Sequence, residues 1–371
     1  MKRPHHRLAP RSDKEDSRPH FRPSLAVLSH EELAVQRPHV VLLGAGASKA
    51  AFREGDAAGP AVPLMNELVD IVPGLRQCLE TAEICESFDD FEALYSDIVD
   101  NGQTELAQHV ELLIETYFSS LKLPETPTIY DHLLLSLRPK DAVFTFNWDP
   151  FLFDAYQRNR CVPLPEIFFL HGNVRVGYCG NHPVVWGRRG QHCPDCGMPL
   201  TPASLLYPVK NKAAAYRKPF IRDQWENARL FLENAFILTI FGYSAPTTDV
   251  DAVELLKMSW RSRGDRLVEH AEIIHRPDLT EQERNELHET WKPFDYYHHT
   301  RYIEWFQDSY MSLFPRGTCE SIYYAGTRGI ASERWEAPRD LSLEQTQLWY
   351  AKIAEHDGRK RWAQRGTGVR W

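Results

Sequence analysis

The sequence predicts an α/β fold: a Rossmann-like parallel sheet flanked by helices, with a helical insertion, a small zinc-ribbon-like module and a helical C-terminal extension. Three observations predict it. Short, mostly apolar runs recur at 39–43, 141–146, 166–170 and 235–241, and such runs are what strands buried on both faces look like. Each breaks abruptly into glycine or polar residues, as a strand does where it leaves the carboxyl edge of an open sheet. Between the runs lie segments with apolar residues at helical spacing.

Composition narrows the class further. The 371 residues can bury a sizeable core, and 43% hydrophobic with 25% charged residues is ordinary for a globular chain. A formal net charge of −8 and a pI near 6.1 argue against nucleic acid as the main ligand. No apolar run approaches the roughly 18 residues of a membrane span, and the N-terminus lacks the apolar core of a secretory signal. No membrane association and a cytoplasmic location are therefore expected. The seven cysteines are an odd number, and only Cys179, Cys193 and Cys196 cluster. That pattern reads as reduced thiols with a metal site and not as a disulfide framework.

In chain order, residues 1–24 are rich in Arg, His and Pro; they cannot bury enough apolar surface to offset their ordering entropy, and a disordered basic tail is expected. A helix follows from Leu25 to Gln36. The run at 39–43 then meets Gly44, Ala45, Gly46, Ala47 and Ser48. A Gly-x-Gly turn opening a helix lets backbone N–H groups approach a diphosphate, although a tight strand-to-helix turn without a ligand reads the same way. Residues 50–63 form a Gly/Pro/Ala-rich loop, a composition suited to a mobile cover. A helical insertion over about 64–125 carries Asp89, Asp90 and Glu92 on a solvated face. After a helix at 128–137, the run at 141–146 ends in Asn147, Trp148 and Asp149, and Pro150 opens the helix 151–158. The next run ends in His171 and Gly172. Two neighbouring strands thereby deliver an amide, a carboxylate and an imidazole to one crevice.

A module over about 174–204 follows. Cys179 with His182, and Cys193 with Cys196, each present two N/S ligands at a spacing that converges on one metal, which predicts structural Zn2+; His192 competes with His182 for the fourth position. A helix over 215–234, with Phe220, Trp225, Leu230 and Phe231 on its apolar face, leads to the run 235–241. That run ends in Gly242, then Ser244 and Asp249 at the next helix start, which repeats the arrangement of the first turn and makes these three cofactor-binding candidates. A helix to about 263, a strand at 271–275 and an aromatic-rich helical region over 277–371 (281–291, 302–314, 342–355) complete the chain. Its Trp and Tyr residues suit a packing layer or a subunit interface.

Taken in order, Gly44 to Ser48, Thr145 to Asp149, His171 and Gly172, the cysteine module and Gly242 to Ser244 resemble the sirtuins, and more closely the bacterial SIR2-like proteins, many of them associated with anti-phage defence. The resemblance covers roughly 38–276 and implies a domain over 25–276 that binds NAD+. It implies that Gly44, Ala45, Gly46 and Ser48 contact the diphosphate and that Gly242 and Ser244 contact the phosphate or adenosine side. It further implies that Asn147 holds the nicotinamide ribose or a water, that Asp149 supports that loop, that His171 is the general base, and that zinc has no chemical role. Two departures stand out. The Pro-Asp-Phe-Arg type segment of protein-deacylating sirtuins is replaced here by Lys49, Ala50, Ala51, Phe52 and Arg53. Pro208 interrupts the stretch that would pair with an acyl-lysine peptide.

The activity expected is hydrolysis of NAD+ to ADP-ribose and nicotinamide. An NAD-dependent deacylase or ADP-ribosyltransferase, and a non-catalytic NAD or ADP-ribose sensor, are the alternatives. A defence effector of this kind must be held off until infection, so the resemblance also implies a homo-oligomer or a separately encoded ATPase or sensor partner.

Overall fold

The computed structural model describes residues 36–84, 88–182, 185–208, 218–245, 249–261, 270–292, 300–329, 334–335 and 340–365. The tail expected over 1–24, and all but the last residue of the helix expected after it, lie outside the described residues.

Strand β1 (His39–Leu43) is buried along its whole length, which requires cover on both faces and a partner on each edge. α1 (Ala45–Ala51), α2 (Leu68–Ile71), α3 (Leu75–Thr81), α4 (Phe91–Asp100), α5 (Thr104–Ser120) and α6 (Ile129–Ser136) separate it from β2 (Ala142–Thr145). Then come α7 (Phe151–Arg158), β3 (Glu166–Phe169), and the short strands β4 (Val176–Tyr178), β5 (Trp186–Arg188) and β6 (Thr201–Pro202). The chain continues through α8 (Pro219–Asn234), β7 (Ile237–Phe241), α9 (Val250–Arg261), β8 (His270–Ile274), α10 (Glu281–Trp291) and β9 (Thr300–Ile303). Helices α11 (Tyr310–Leu313), α12 (Thr318–Arg328) and α13 (Leu343–Arg365) end it.

Six strands form one sheet in the order β3-β2-β1-β7-β8-β9, and every neighbouring pair is parallel. The chain moves outward from β1 to β3, returns to the other side of β1 at β7 and moves outward again to β9. The switch point falls between β1 and β7, and ligands in such sheets bind beyond the carboxyl ends at that point. A separate antiparallel sheet, β5-β4-β6, carries the cysteine module.

The insertion forms as expected. α4 buries Phe91, Leu94, Tyr95 and Ile98, and α5 buries Val110, Ile114, Tyr117 and Phe118. Asp90 caps α4 by accepting from Ala93 N at 3.0 Å, and Asp89 is exposed. The Gly/Pro-rich loop is tied down: Tyr117 donates to Ala61 O, and Asp56 accepts from Lys122 N at 2.6 Å.

Two expectations need correction. The helix expected over 302–314 begins instead as a strand, because Ile273 and Ile274 of β8 would otherwise face an open edge; Ile273 pairs with Tyr302 and Ile274 with Ile303. Only a 3-10 turn (Phe306–Asp308) and α11 remain helical there, so the sheet continues past residue 276. In α8, Phe220, Trp225 and Phe231 are buried, but Leu230 is 49% exposed. The buried stripe runs through Phe220, Gln224, Ala228 and Phe231, at helical spacing, and Leu230 sits about 100° off it.

Far along the chain, α13 packs Tyr350 and Ile353 against Leu135 of α6 and Val162. Among the described residues no helix is long and apolar enough to cross a membrane.

Candidate functional site

At the switch point two strand-to-helix turns interlock. Gly44 N–H donates to Phe241 O and Gly46 N–H to Gly242 O, both at 2.9 Å. A Cβ on Gly44 would lie 2.5 Å from Gly242 O, and one on Gly46 would lie 2.9 Å from Gly242 Cα. Gly242 itself has φ +63°, and its Cβ would lie 2.2 Å from Ala47 N. All three glycines are thus required by backbone-to-backbone contact between the turns. With the Gly44 and Gly46 N–H groups committed, Ala45 is the exposed residue of the turn.

The side chains behind this turn form one buried network. Asn147 Nδ2 donates to Gly44 O and to Ser48 Oγ, each at 3.0 Å, with Tyr130 OH at 3.3 Å. Ser48 Oγ donates to Asp149 Oδ2 at 2.6 Å and lies 2.6 Å from Tyr130 OH. Asp149 Oδ1 accepts from Phe151 N at 3.1 Å. Burial pushes the Asp149 carboxyl up to about 6, opposed by the hydrogen bonds from Ser48 and Phe151 N. Burial, followed by the charge of Asp149, raises the Tyr130 phenol well above its ordinary value. Local chemistry presents these groups: Asn147 N–H bonds to Thr145 Oγ1 at 3.0 Å, which turns the chain out of β2.

The loop after β3 is laced to the loop after β2. Asn173 Nδ2 donates to Asp149 O at 2.6 Å and Val174 N–H to Trp148 O at 3.0 Å. His171 stands between them. Its ring meets the edge of Phe146 at 4.7 Å between centroids, and Nε2 lies 3.9 Å from Asp249 Oδ1. Phe146 stacks in turn on Tyr243 at 4.1 Å, whose hydroxyl donates to Asp249 Oδ2 at 3.1 Å. Gly172 has φ +77°, and a Cβ there would meet Ser204 O at 2.3 Å, so only glycine lets the segment around Ser204 run this close to the backbone after His171. That segment is bonded in place by Leu206 N–H to His171 O and Ala203 N–H to Val176 O, both at 2.9 Å.

Of the candidates named from sequence, Gly44, Ser48, Asn147 and Asp149 are joined by hydrogen bonds. Gly46 and Gly242 join them by packing, and His171 and Asp249 form a second group linked through Phe146. Ser244 is exposed beyond Tyr243. Tyr130, Asn173 and Tyr243 also belong to these groups, and the sequence does not single them out. Asn173 carried a signal, a polar residue directly after His171 and Gly172; a tyrosine early in a helix such as Tyr130 carries none.

Some distance along the chain, Cys179, His182, Cys193 and Cys196 place their ligand atoms within 4.8 Å of one another. Cys179 Sγ lies 3.5 Å from Cys196 Sγ and 3.7 Å from His182 Nδ1, and Cys193 Sγ lies 3.6 Å from His182 Nδ1. A zinc tetrahedron with ordinary bond lengths has edges of about 3.5 to 3.8 Å. The donor set and spacing therefore fit Zn2+, and the nitrogen donor in this cluster is His182; His192 is not among the clustered groups.

No protein-family profile matches the chain, and no curated protein does. Solved structures do match. A Sir2 homologue with a serine-to-alanine substitution, in complex with ADP-ribose, matches with a TM-score of 0.30 at 14% identity, over 72% of this chain and 99% of that one. Sir2 in complex with an inhibitor, 2′-O-acetyl-ADP-ribose and a deacetylated peptide matches with a TM-score of 0.33 at 16% identity, over 79% of this chain and 94% of that one. A Sir2 homologue with a histidine-to-asparagine substitution, also bound to ADP-ribose, has a TM-score of 0.31 at 14% identity, over 72% and 99%. The likeness concerns the fold alone, and at these scores it assigns no role to any residue of this chain.

Proposed function

We propose that the chain is an NAD+ hydrolase that cleaves the nicotinamide–ribose bond to give ADP-ribose and nicotinamide. The observation that supports this best is the Asn147 amide, held by two acceptors at 3.0 Å next to the Phe146–His171 ring pair, at the switch point of a parallel sheet. The bond between the ribose C1′ and the pyridinium nitrogen breaks with its electron pair going to nicotinamide, leaving an oxocarbenium-like centre. Fixed polar groups stabilise such a centre and a positioned nucleophile quenches it. Asn147 orients the ribose or the attacking water without adding charge. Water adds to C1′, His171 takes its proton and passes it to solvent, as an imidazole can near neutral pH. The balance is NAD+ plus water giving ADP-ribose, nicotinamide and one proton.

Ser48, Gly44, Ala45, Gly46 and Gly242, with Ser244 and Asp249, line the cofactor side in this reading. Zn2+ would be held by Cys179, His182, Cys193 and Cys196, where four protein ligands leave no open position, so its contribution is to hold the module together. Water is favoured as acceptor by the segment before the α8 helix. It is bonded to His171 and Val176 on one side and to the insertion on the other, through Ser96 Oγ to Pro208 O at 2.9 Å and Tyr207 OH to Glu111 O at 3.1 Å. A peptide strand would have to displace it. Following the resemblance, we assign the activity to an anti-phage effector held off by self-association or by a separately encoded ATPase or sensor.

The test is an NAD+ consumption assay on the purified full chain, with and without its genomic neighbour. Nicotinamide and free ADP-ribose are expected in equal amounts, with Asn147→Ala and His171→Ala each slowing release by about 10²-fold or more. Full turnover by both variants would sink the assignment. Release that requires an acylated peptide, ADP-ribose attached to protein, or tight binding without turnover would each replace it with one of the three alternatives.

A further inference from the structure

The polarity of every hydrogen bond in the Asn147 network can be worked out from chemistry. Gly44 O can only accept, so the amide atom 3.0 Å away must be Nδ2, and the second Nδ2 hydrogen goes to Ser48 Oγ. The amide oxygen is thereby the atom left to face a ligand. Ser48 has one hydrogen and two close neighbours, Asp149 Oδ2 and Tyr130 OH, both at 2.6 Å. A carboxylate can only accept, so the Ser48 hydrogen goes to Asp149 and the Tyr130 hydroxyl must donate to Ser48 Oγ. Both lone pairs of Ser48 are then filled, by Tyr130 and by Asn147.

We propose that Tyr130 is a positioning residue of this site: by donating to Ser48 it fixes the direction of the chain Tyr130–Ser48–Asp149, and with it the face that Asn147 turns toward the ligand. The inference rests on the reading of the pocket as an NAD+ site, but its mechanism is internal to the protein. The reversed chain, with Asp149 protonated and donating to Ser48, makes Ser48 donate to Tyr130. The Tyr130 hydrogen must then turn away from Ser48, and the phenol no longer donates into the network. Hydrogen bonds in a chain strengthen one another, so the phenol supports the charged form of Asp149 through the serine.

The fold holds Tyr130 firmly. Thr128 and Asp131 cap the start of α6, with Thr128 N–H to Asp131 Oδ2 at 2.7 Å, and Asp131 is itself bonded by Arg158 Nε and Asn159 Nδ2 at 2.7 Å. The ring packs against Phe52 and Phe151. Removal of the hydroxyl alone therefore leaves the packing in place. The other ionisable group acting on Asp149 is Asp154 of α7, which is held by Arg175 at 3.3 Å and Arg188 at 2.9 Å; these stay unchanged in the variant.

The test is Tyr130→Phe in the full chain, read first without any substrate. With 13C-labelled aspartate, the Asp149 carboxyl resonance is assigned by its loss in Asp149→Asn and titrated in both backgrounds. Its midpoint is expected to rise in Tyr130→Phe, by about threefold or more in proton affinity; an unchanged or lowered midpoint overturns the inference. Where the wild type turns NAD+ over, Tyr130→Phe is expected to lower kcat about tenfold with KM within about twofold. An unchanged kcat likewise overturns it. Site-specific 3-fluorotyrosine at 130, a stronger donor, is expected to lower the midpoint, and a rise there overturns it. A wild type with no turnover would instead count against the NAD+ hydrolase reading, while the titration still decides the role of Tyr130.

Discussion

The cysteine module and the Asn147 network are both four-residue polar constellations, yet they are built in opposite ways. The module draws Cys179, His182, Cys193 and Cys196 from one short stretch closed by its own small sheet. The network draws Ser48, Tyr130, Asn147 and Asp149 from α1, α6 and the loop after β2, with partners up to 101 residues apart. A local constellation of metal-ligand type depends on its own few members and, where they hold a metal, on that metal. A tertiary one depends on the sheet beneath it and on no single bond. Loss of a member should therefore unfold the first and only disable the second.

Paired substitutions test that contrast most directly, and they carry the largest effects. Asn147→Ala is expected to slow NAD+ cleavage by about 10²-fold or more with little change in thermal midpoint, since the space the amide vacates can take a water that bonds Gly44 O. Cys193→Ser, or treatment with a strong chelator, is expected to release the metal and open the small cluster of Cys179, Cys193 and Leu200, because a structural zinc site supplies folding energy. The six-stranded sheet should survive that loss. Metal content by elemental analysis, with limited proteolysis around 179–200, reads it. Retention of proteolytic resistance without metal would show that the module stands on its own packing.

The next effect separates crowding from backbone strain. Gly242→Ala places a Cβ 2.2 Å from Ala47 N at φ +63°, whereas Gly59 has φ +97° and nothing within 4 Å. An alanine in either position pays for the left-handed conformation, roughly 1 kcal/mol or somewhat more. Only Gly242→Ala must also push two turns apart at the switch point, so a loss of several kcal/mol and of ligand binding is expected. Urea denaturation of the two variants reads the difference. Equal losses would mean that the interlocked turns yield easily and that the glycines serve conformation alone.

How far the sequence discloses each region follows from the same contrast. The positions of Cys179, His182, Cys193 and Cys196, and of Asn147, Asp149 and His171, were legible because each lies at a strand end or in a short Cys-x-x-His or Cys-x-x-Cys spacing. So was the order of buried strands around β1. Tyr130 was not legible, since its role depends on α6 delivering it to Ser48 from a distance of 82 residues. The glycines at 44, 46 and 242 looked like phosphate-contacting residues, but their closest neighbours are each other, a fact that only the pairing of β1 with β7 creates. The helix expected over 302–314 gives way at β9 to pairing with the edge of β8, a tertiary contact that overrides local preference.

A third polar row, on the far half of the sheet, offers the smallest and most specific test of a tertiary constellation. Glu272 of β8 is fully buried, 3.2 Å from Arg301 Nη1 of β9 and 3.1 Å from Tyr310 N. Burial pushes its carboxyl from 4.5 up to about 7, opposed by Arg301, by the Tyr310 backbone and by Thr239. A raised folded-state value means that the folded protein binds more protons than the unfolded chain between about pH 4.5 and 7, so this group costs stability as pH rises through that window. Glu272→Gln removes that dependence. Its stability relative to wild type is expected to improve from pH 5 to pH 7 by at most about 1.4 kcal/mol per pH unit, with a smaller gain if Arg301 is left poorly paired. His39, which burial lowers to about 4, acts in the opposite sense, losing stability as pH falls below its ordinary 6.5. It is present in both proteins and so drops out of the difference to the extent that the two sites are independent. Urea midpoints at pH 5, 6, 7 and 8 give the slope. A flat difference would mean that Arg301 holds Glu272 ionised throughout, and that the row is an ordinary ion pair.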